Sequence, residues 1–145
     1  MSGFLKISEA ASCGMHALVF LAAHPEKLVR ARELAGFCQS SEAHMAKILQ
    51  RLAKVRLVRA ERGPTGGYRL HRPANEINLL QVVSALDGDP ETDSCLMNRR
   101  ACADNGQLCV FSELTHSVNR QVLDYLTTTR LDQLAVRCRL ILTRD

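Results

Sequence analysis

Along this chain, apolar and polar positions recur mostly at helical intervals, with one short passage that alternates instead. From Ser8 to Ala23, at about 100° per residue, Ala11, Met15, Leu18 and Ala22 gather on one side while Glu9, Ser12, Cys13 and His16 gather on the other. A two-faced helix is expected there. Pro25 ends it, and Ala31 to Cys38 reads as a short second helix with Leu34 and Phe37 turned to a core. Past the polar turn Gln39-Ser40-Ser41, a third helix, capped by Ser40 or Ser41, runs to about Lys54. It points Met45, Ile48, Leu49 and Leu52 inward and His44, Lys47, Arg51 and Lys54 outward. Leu57 to Glu61 then alternates like a strand, Gly63-Pro64-Thr65-Gly66-Gly67 must turn, and Tyr68 to Leu70 returns as a second strand. Leu79 to Leu86 makes another short helix. Beyond a polar stretch from Asp87 to Asn105, a long helix from about Val110 to Thr127 carries Phe111, Leu114, Val118, Val122 and Tyr125 at spacings of three or four.

The order of these elements points to a mainly α fold, a winged helix-turn-helix with a long C-terminal dimerisation helix. In that arrangement the third helix enters a major groove and the hairpin, as a wing, reaches an adjacent groove. The apolar stripe of the last helix needs a partner, and a small winged helix has little surface left to cover it, so a homodimer is expected. Residues 1–87 are read as the DNA-binding domain, 88–109 as a cysteine-rich loop, and 110–145 as the dimerisation helix and C-terminal segment.

Composition narrows the class. With 46% hydrophobic and 23% charged residues over 145 positions, one folded core can form and a large multidomain enzyme is excluded. The net charge of +4 is unevenly spread: Lys27 to Arg72 holds eleven Lys or Arg against Glu33, Glu42 and Glu61, a balance of +8, which leaves −4 for the rest. Such a basic block is the footprint of a polyanion binder, although a merely solvated face has the same composition. No nucleotide-binding glycine loop, Ser/His/Asp arrangement or apolar pair of carboxylates points to an enzyme. The longest apolar run, Ala17 to Ala23, is far too short to span a bilayer, and the N-terminus lacks a signal peptide's apolar core. A cytoplasmic protein without membrane contact is expected.

In that reducing setting, metal binding or redox chemistry explains six cysteines better than a disulfide framework does. Cys95, Cys102 and Cys109 follow a C-x6-C-x6-C spacing among Asp, Asn and Gly residues that favour a loop able to wrap an inorganic centre. The plain alternative is three cysteines at heptad spacing on a buried helix, which those polar and glycine residues oppose. Three thiolates need one more ligand to complete a four-coordinate zinc or iron–sulfur site. Without metal, the same cysteines could serve as a thiol redox switch.

The chain resembles the Rrf-type winged-helix transcriptional regulators (IscR/NsrR/RsrR-like) over nearly its whole length. The resemblance is carried by Ile7-Ser8 through Ala22, by Arg62-Gly63-Pro64-Thr65-Gly66-Gly67-Tyr68-Arg69-Leu70, by Glu76-Ile77 with Val82 to Gly88, and by the three downstream cysteines. It implies a homodimeric bacterial repressor or activator whose affinity for a pseudo-palindromic operator in double-stranded DNA depends on an iron–sulfur cluster. IscR-like members have a His three residues after the last cysteine; that position is Ser112 here, and the next His is His116. NsrR-like and RsrR-like members take a ligand from the first helix, where Ser12 and His16 align, so the candidates for the fourth ligand are His16, then Cys13, then Glu9. The six-residue gaps are one wider than the family's familiar spacing, leaving [2Fe-2S] and [4Fe-4S] open; the available His favours [2Fe-2S] slightly. The resemblance also places DNA contacts on the third helix and wing: Ser40, Ser41 and His44 at base edges, with Lys47 and Arg51 farther along. Arg62 would enter the minor groove, Arg59 and Arg69 would hold phosphates, and Gly66 and Gly67 would supply positive φ and close approach. Cys38 and Cys138 are expected to pack as small hydrophobes.

Overall fold

The computed structural model describes residues 7–90 and 109–143. Its elements are α1 (Glu9–Ala23), α2 (Ala31–Phe37), α3 (Glu42–Lys54), β1 (Val58–Glu61), β2 (Gly67–Leu70), α4 (Leu79–Asp87), α5 (Ser112–Thr128) and α6 (Leu131–Leu142), with one 3-10 turn at Ala74–Glu76. The mainly helical winged helix-turn-helix expected from the sequence is thus the fold observed. β1 and β2 form a two-stranded antiparallel hairpin in which Val58 faces Leu70 and Arg59 faces Arg69.

Helix α3 shows the sequence logic most directly. Ser41, not Ser40, caps it, its Oγ accepting from the His44 N–H at 3.1 Å. Met45, Ile48, Leu49 and Leu52, the expected stripe, are all buried. Both α2 and α3 end in the same way, with a residue in the left-handed region followed by a turn that returns two N–H groups to the last helical turn. In α2 that residue is Gln39 (φ 53), and the Ser40 N–H reaches the Ala35 carbonyl at 2.9 Å. In α3 it is Arg56 (φ 57), and the Leu57 N–H reaches the Leu52 carbonyl at 3.0 Å. The first of these closures is the turn of the helix-turn-helix.

Helix α1 departs from the two-faced reading. Ala11, Cys13, Ala17, Leu18, Leu21 and Ala23 are all buried, because α3, α4 and α6 pack around it. Cys13, assigned to the polar side, lies inside with a relative exposure of 7%. A cysteine is small and apolar enough to sit in a core, so its place on the helical wheel says little. Phe37 likewise stays at the rim, half-exposed against Phe20 with ring centroids 4.8 Å apart.

The C-terminal segment, for which the sequence suggested no element of its own, forms α6 and closes the same core through Leu131, Ala135 and Cys138. Its entry is stitched to that of α4: the Leu131 N–H donates to the Ile77 carbonyl at 3.0 Å and the Leu79 N–H to the Thr129 carbonyl at 3.2 Å. On the other side, α6 leaves Val136, Leu140 and Ile141 exposed, and α5 leaves Phe111, Leu114 and Tyr125 about half exposed.

Two helix ends are finished by arginines from elsewhere in the chain. Neither α1 nor α4 has a basic residue in its last turn. Arg139 of α6 donates to the Ala23 carbonyl at 2.9 Å, and Arg51 of α3 donates to the Leu86 carbonyl at 2.6 Å. Each guanidinium satisfies orphan carbonyls and meets the negative end of the helix dipole.

Candidate DNA interface and metal-binding residues

The wing is built to hold positive charge in a fixed place. Arg59 and Arg69 stand directly opposite each other across the hairpin, an unfavourable like-charge pairing. Glu61, two residues along the same strand face from Arg59, relieves it, with its carboxylate 3.0 Å from Arg69 Nε and 3.8 Å from Arg59 Nε. Arg62 is exposed at the turn. The turn itself departs from the expectation: positive φ is supplied by Gly63 (φ 120), not by Gly66 or Gly67. Those two serve the close approach that was also expected of them. A Cβ on Gly67 would lie 2.8 Å from the Val29 carbonyl oxygen, where the wing passes the strand-like segment at Val29. Arg30, not singled out in the sequence, donates to the Pro64 carbonyl at 2.8 Å and pins the turn; the only signal for it was its membership of the basic block.

On the recognition helix α3, Ser41 and Lys47 are exposed, while Ser40 is half-buried with its hydroxyl oxygen shielded from solvent. His44, expected on the outward face, is also half-buried, and its Nε2 is out of solvent with no hydrogen-bond partner among the described residues. Arg51 departs further, since its guanidinium is engaged with the end of α4. This separates two roles by experiment. Arg51→Ala is expected to lower stability by about 1 kcal/mol and leave the salt dependence of DNA binding unchanged, whereas Lys47→Ala should reduce that slope by about one counterion. Thermal melts beside binding titrations at several salt concentrations check it; a reduced slope in Arg51→Ala would return this residue to the interface.

Of the metal candidates, Cys95 and Cys102 lie outside the described residues. Cys109 is half-buried just before α5, its carbonyl accepting from the Ser112 N–H at 3.0 Å. His16 is exposed on α1, with Nδ1 2.7 Å from the Ser12 carbonyl oxygen. That contact selects the tautomer protonated at Nδ1 and leaves the Nε2 lone pair available as a ligand. Cys13 is buried on the same helix. Its sulfur lies within 4.8 Å of a carboxylate oxygen of Glu9 and a ring nitrogen of His44.

The inner cysteines are poor nucleophiles. Burial raises the Cys13 thiol, reinforced by the nearby Glu9 charge, and burial raises Cys138, partly offset by Arg139. Burial, with Cys13 beside it, pushes Cys38 up to about 11. Alkylation of Cys38 by iodoacetamide, followed by peptide mass spectrometry, is therefore expected to keep rising about tenfold per pH unit from about pH 7.5 to 9.5. An ordinary thiol levels off in that window, and such a plateau at Cys38 would contradict the assignment.

A capped recognition helix, a helix-turn-helix closure and an arginine-bearing wing define a winged helix-turn-helix DNA-binding protein. The Rrf2 family profile, described as an iron-dependent transcriptional regulator, matches residues 7–137. The chain is 30% identical over 125 residues to the BadM protein of Rhodopseudomonas palustris, spanning 86% of this chain and 75% of that one. It is 31% identical over 138 residues to the HTH-type transcriptional regulator NsrR of Bacillus subtilis, spanning 92% and 88%. The solved structure of CymR, the global cysteine regulator of B. subtilis, superposes with a TM-score of 0.77 over 92% of this chain and 98% of that one, at 24% identity. The chain belongs to the Rrf2 family: it is a DNA-binding transcriptional regulator and not an enzyme. No described helix is long and apolar enough to cross a membrane.

Proposed function

We propose that operator binding by this regulator depends on an iron–sulfur cluster, [2Fe-2S] in preference to [4Fe-4S], held by Cys95, Cys102, Cys109 and His16. The observation that carries this reading is the donor chemistry of a three-cysteine segment that ends at the head of α5 in a chain matching an iron-dependent family. Three thiols with one imidazole suit such a centre, and the two described donors fit it: among the described residues Cys109 is unpaired and half-buried, and His16, held through Nδ1, turns no other ring atom to a partner. When bound, the cluster supplies ligation that oxidation or nitric oxide can alter.

The chain's own residues translate that change. Cys109 is tied through its backbone to the first turn of α5, whose exposed Phe111, Leu114 and Tyr125 offer an apolar face for a second copy of the chain. A homodimer joined there carries two recognition helices, which must match half-sites roughly 34 Å or a multiple apart, so a small shift of α5 loses contacts on both sides. Ser41 and Lys47 read one groove of a pseudo-palindromic operator, with the shielded Ser40 shaping the turn before them. Arg62 enters the neighbouring minor groove, while Arg59, Arg69 and the close-packed backbone at Gly66 and Gly67 hold the phosphates. Such a reader of chromosomal DNA works in the cytoplasm.

Anaerobic purification, then absorption spectroscopy and mobility shift with cluster-loaded and cluster-free protein, tests this reading. A brown protein with visible charge-transfer bands and a clear affinity difference is expected. Equal affinity and specificity in both forms would overturn it. A colourless, metal-free protein that changes affinity on oxidation would favour a thiol switch, the reading that the fold shared with a cysteine regulator brings forward. The raised thiols at Cys13, Cys38 and Cys138 speak against those three as its sensors.

A further inference from the structure

We propose that Glu9, Cys13 and His44 form a mononuclear site for a divalent transition-metal cation, one that fastens α1 to the first turn of the recognition helix α3. The three donors are a carboxylate oxygen, a thiol sulfur and an imidazole nitrogen, all within 4.8 Å of one another. They come from two helices: Glu9 and Cys13 are one turn apart on α1, and His44 sits in the turn of α3 that Ser41 caps.

A buried cysteine beside a histidine could be ordinary packing, but packing leaves two features unexplained. The shielded Nε2 of His44 has no hydrogen-bond partner among the described residues, and an orphaned buried polar atom is costly unless something fills the place. The Glu9 carboxylate, one helical turn from Cys13, also completes a group of three unlike donors with the Cys13 sulfur and a His44 ring nitrogen, an arrangement that suits a cation better than it suits apolar packing.

The donor set narrows the ion. Thiolate with imidazole selects borderline and soft cations such as Zn2+, Fe2+ or Co2+ over Mg2+ and Ca2+, and one tetrahedral position remains for water. Metal–ligand distances of about 2.0–2.3 Å put tetrahedral donors roughly 3.3–3.8 Å apart, so a pair at the outer limit of 4.8 Å would draw in by about 1 Å. Glu9, being exposed, can turn to meet the other two.

The site has a place in the control of DNA reading. His44 adjoins Ser40 and Ser41 at the end of α3 that leads into the groove, and the N-terminus of α1 is anchored to α4 by Ser8, whose N–H and hydroxyl both donate to Asp87. An ion bridging α1 and α3 therefore fixes the tip of the recognition helix against the domain. This is a metal input separate from the three-cysteine loop, and it stands or falls independently of the cluster.

The test uses the full-length chain carrying Cys95→Ser, Cys102→Ser and Cys109→Ser, which removes the loop thiols, and titrates Co2+ into metal-free protein. One Co2+ per chain with sulfur-to-cobalt charge-transfer absorption is expected. Adding Cys13→Ser should abolish that absorption, and adding Glu9→Gln should weaken binding at least about tenfold. Absence of the band in the triple variant, or unchanged affinity after either further substitution, would overturn the proposal. If Cys13→Ser fails to fold, Glu9→Gln decides alone, since Glu9 is exposed. If the wild-type chain takes up no iron–sulfur cluster while the triple variant binds Co2+ in this way, this site stands and only the cluster reading is removed.

Discussion

Gly66→Ala is expected to weaken operator binding roughly ten- to hundredfold while leaving the melting temperature nearly unchanged. A Cβ at this position would fall inside van der Waals contact of the Glu61 carbonyl oxygen and 3.0 Å from both the Arg62 carbonyl carbon and the Gly63 carbonyl oxygen. All three are backbone atoms of the turn that the Gly66 N–H closes onto the Gly63 carbonyl at 3.0 Å, so no side chain can give way. Relief requires the turn to open. Opening moves Arg62, and with it the strand ends that hold Arg59 and Arg69 against Glu61. Stability barely registers this, because residues 59–65 are exposed and contribute nothing to the core. Fluorescence anisotropy with an operator duplex, run beside thermal melts of the same samples, checks both halves. Full affinity in a folded Gly66→Ala protein would mean that the wing's shape does not matter to DNA reading, and Arg62→Ala would then be expected to be silent as well.

The sequence disclosed the elements whose burial is one-sided and hid those buried from several directions. In α3 the apolar residues Met45, Ile48, Leu49 and Leu52 define one stripe facing one core, so periodicity alone located them. Helix α1 is enclosed by α3, α4 and α6, and a wheel that sorts residues into two faces misplaces Cys13, which is buried although Glu9 and His16 on the same side are exposed. At the interface, charge pattern identified the right segment but could not show which cations are free. Arg51 and Lys47 look alike in the sequence, and only the geometry shows one of them bonded to α4. The association of His44 with Glu9 and Cys13 joins positions far apart along the chain, with no local spacing to announce it. In the wing, the run of glycines indicated a turn, but which glycine carries positive φ depends on the register of the hairpin, and register placed it at Gly63.

Helix α6 was hidden for a related reason, and it carries the larger stability prediction. Its apolar residues lie all round: Leu131, Ala135 and Cys138 point to the core while Val136, Leu140 and Ile141 point outward, so no single stripe stands out. The dual pattern makes sense if one face closes the domain and the other meets a partner. Leu131 separates these roles, being fully buried within a chain alone. Leu131→Ala is expected to cost about 3 kcal/mol through lost burial and the cavity left behind, lowering the melting temperature by about 6–12 °C. The loss should be the same at dilute and concentrated protein, because the cavity opens inside one chain and not between two. It should also reach the DNA-binding elements, since α6 packs on α1 and its Arg139 finishes that helix's C-terminal end. Hydrogen exchange in α1 and α3 of the variant should therefore accelerate together with that in α6. Exchange accelerated in α6 alone would instead make this helix an appendage that does not support the DNA-binding elements. Ile141→Ser, on the outward face, is the matched control: it should leave the chain's stability nearly unchanged.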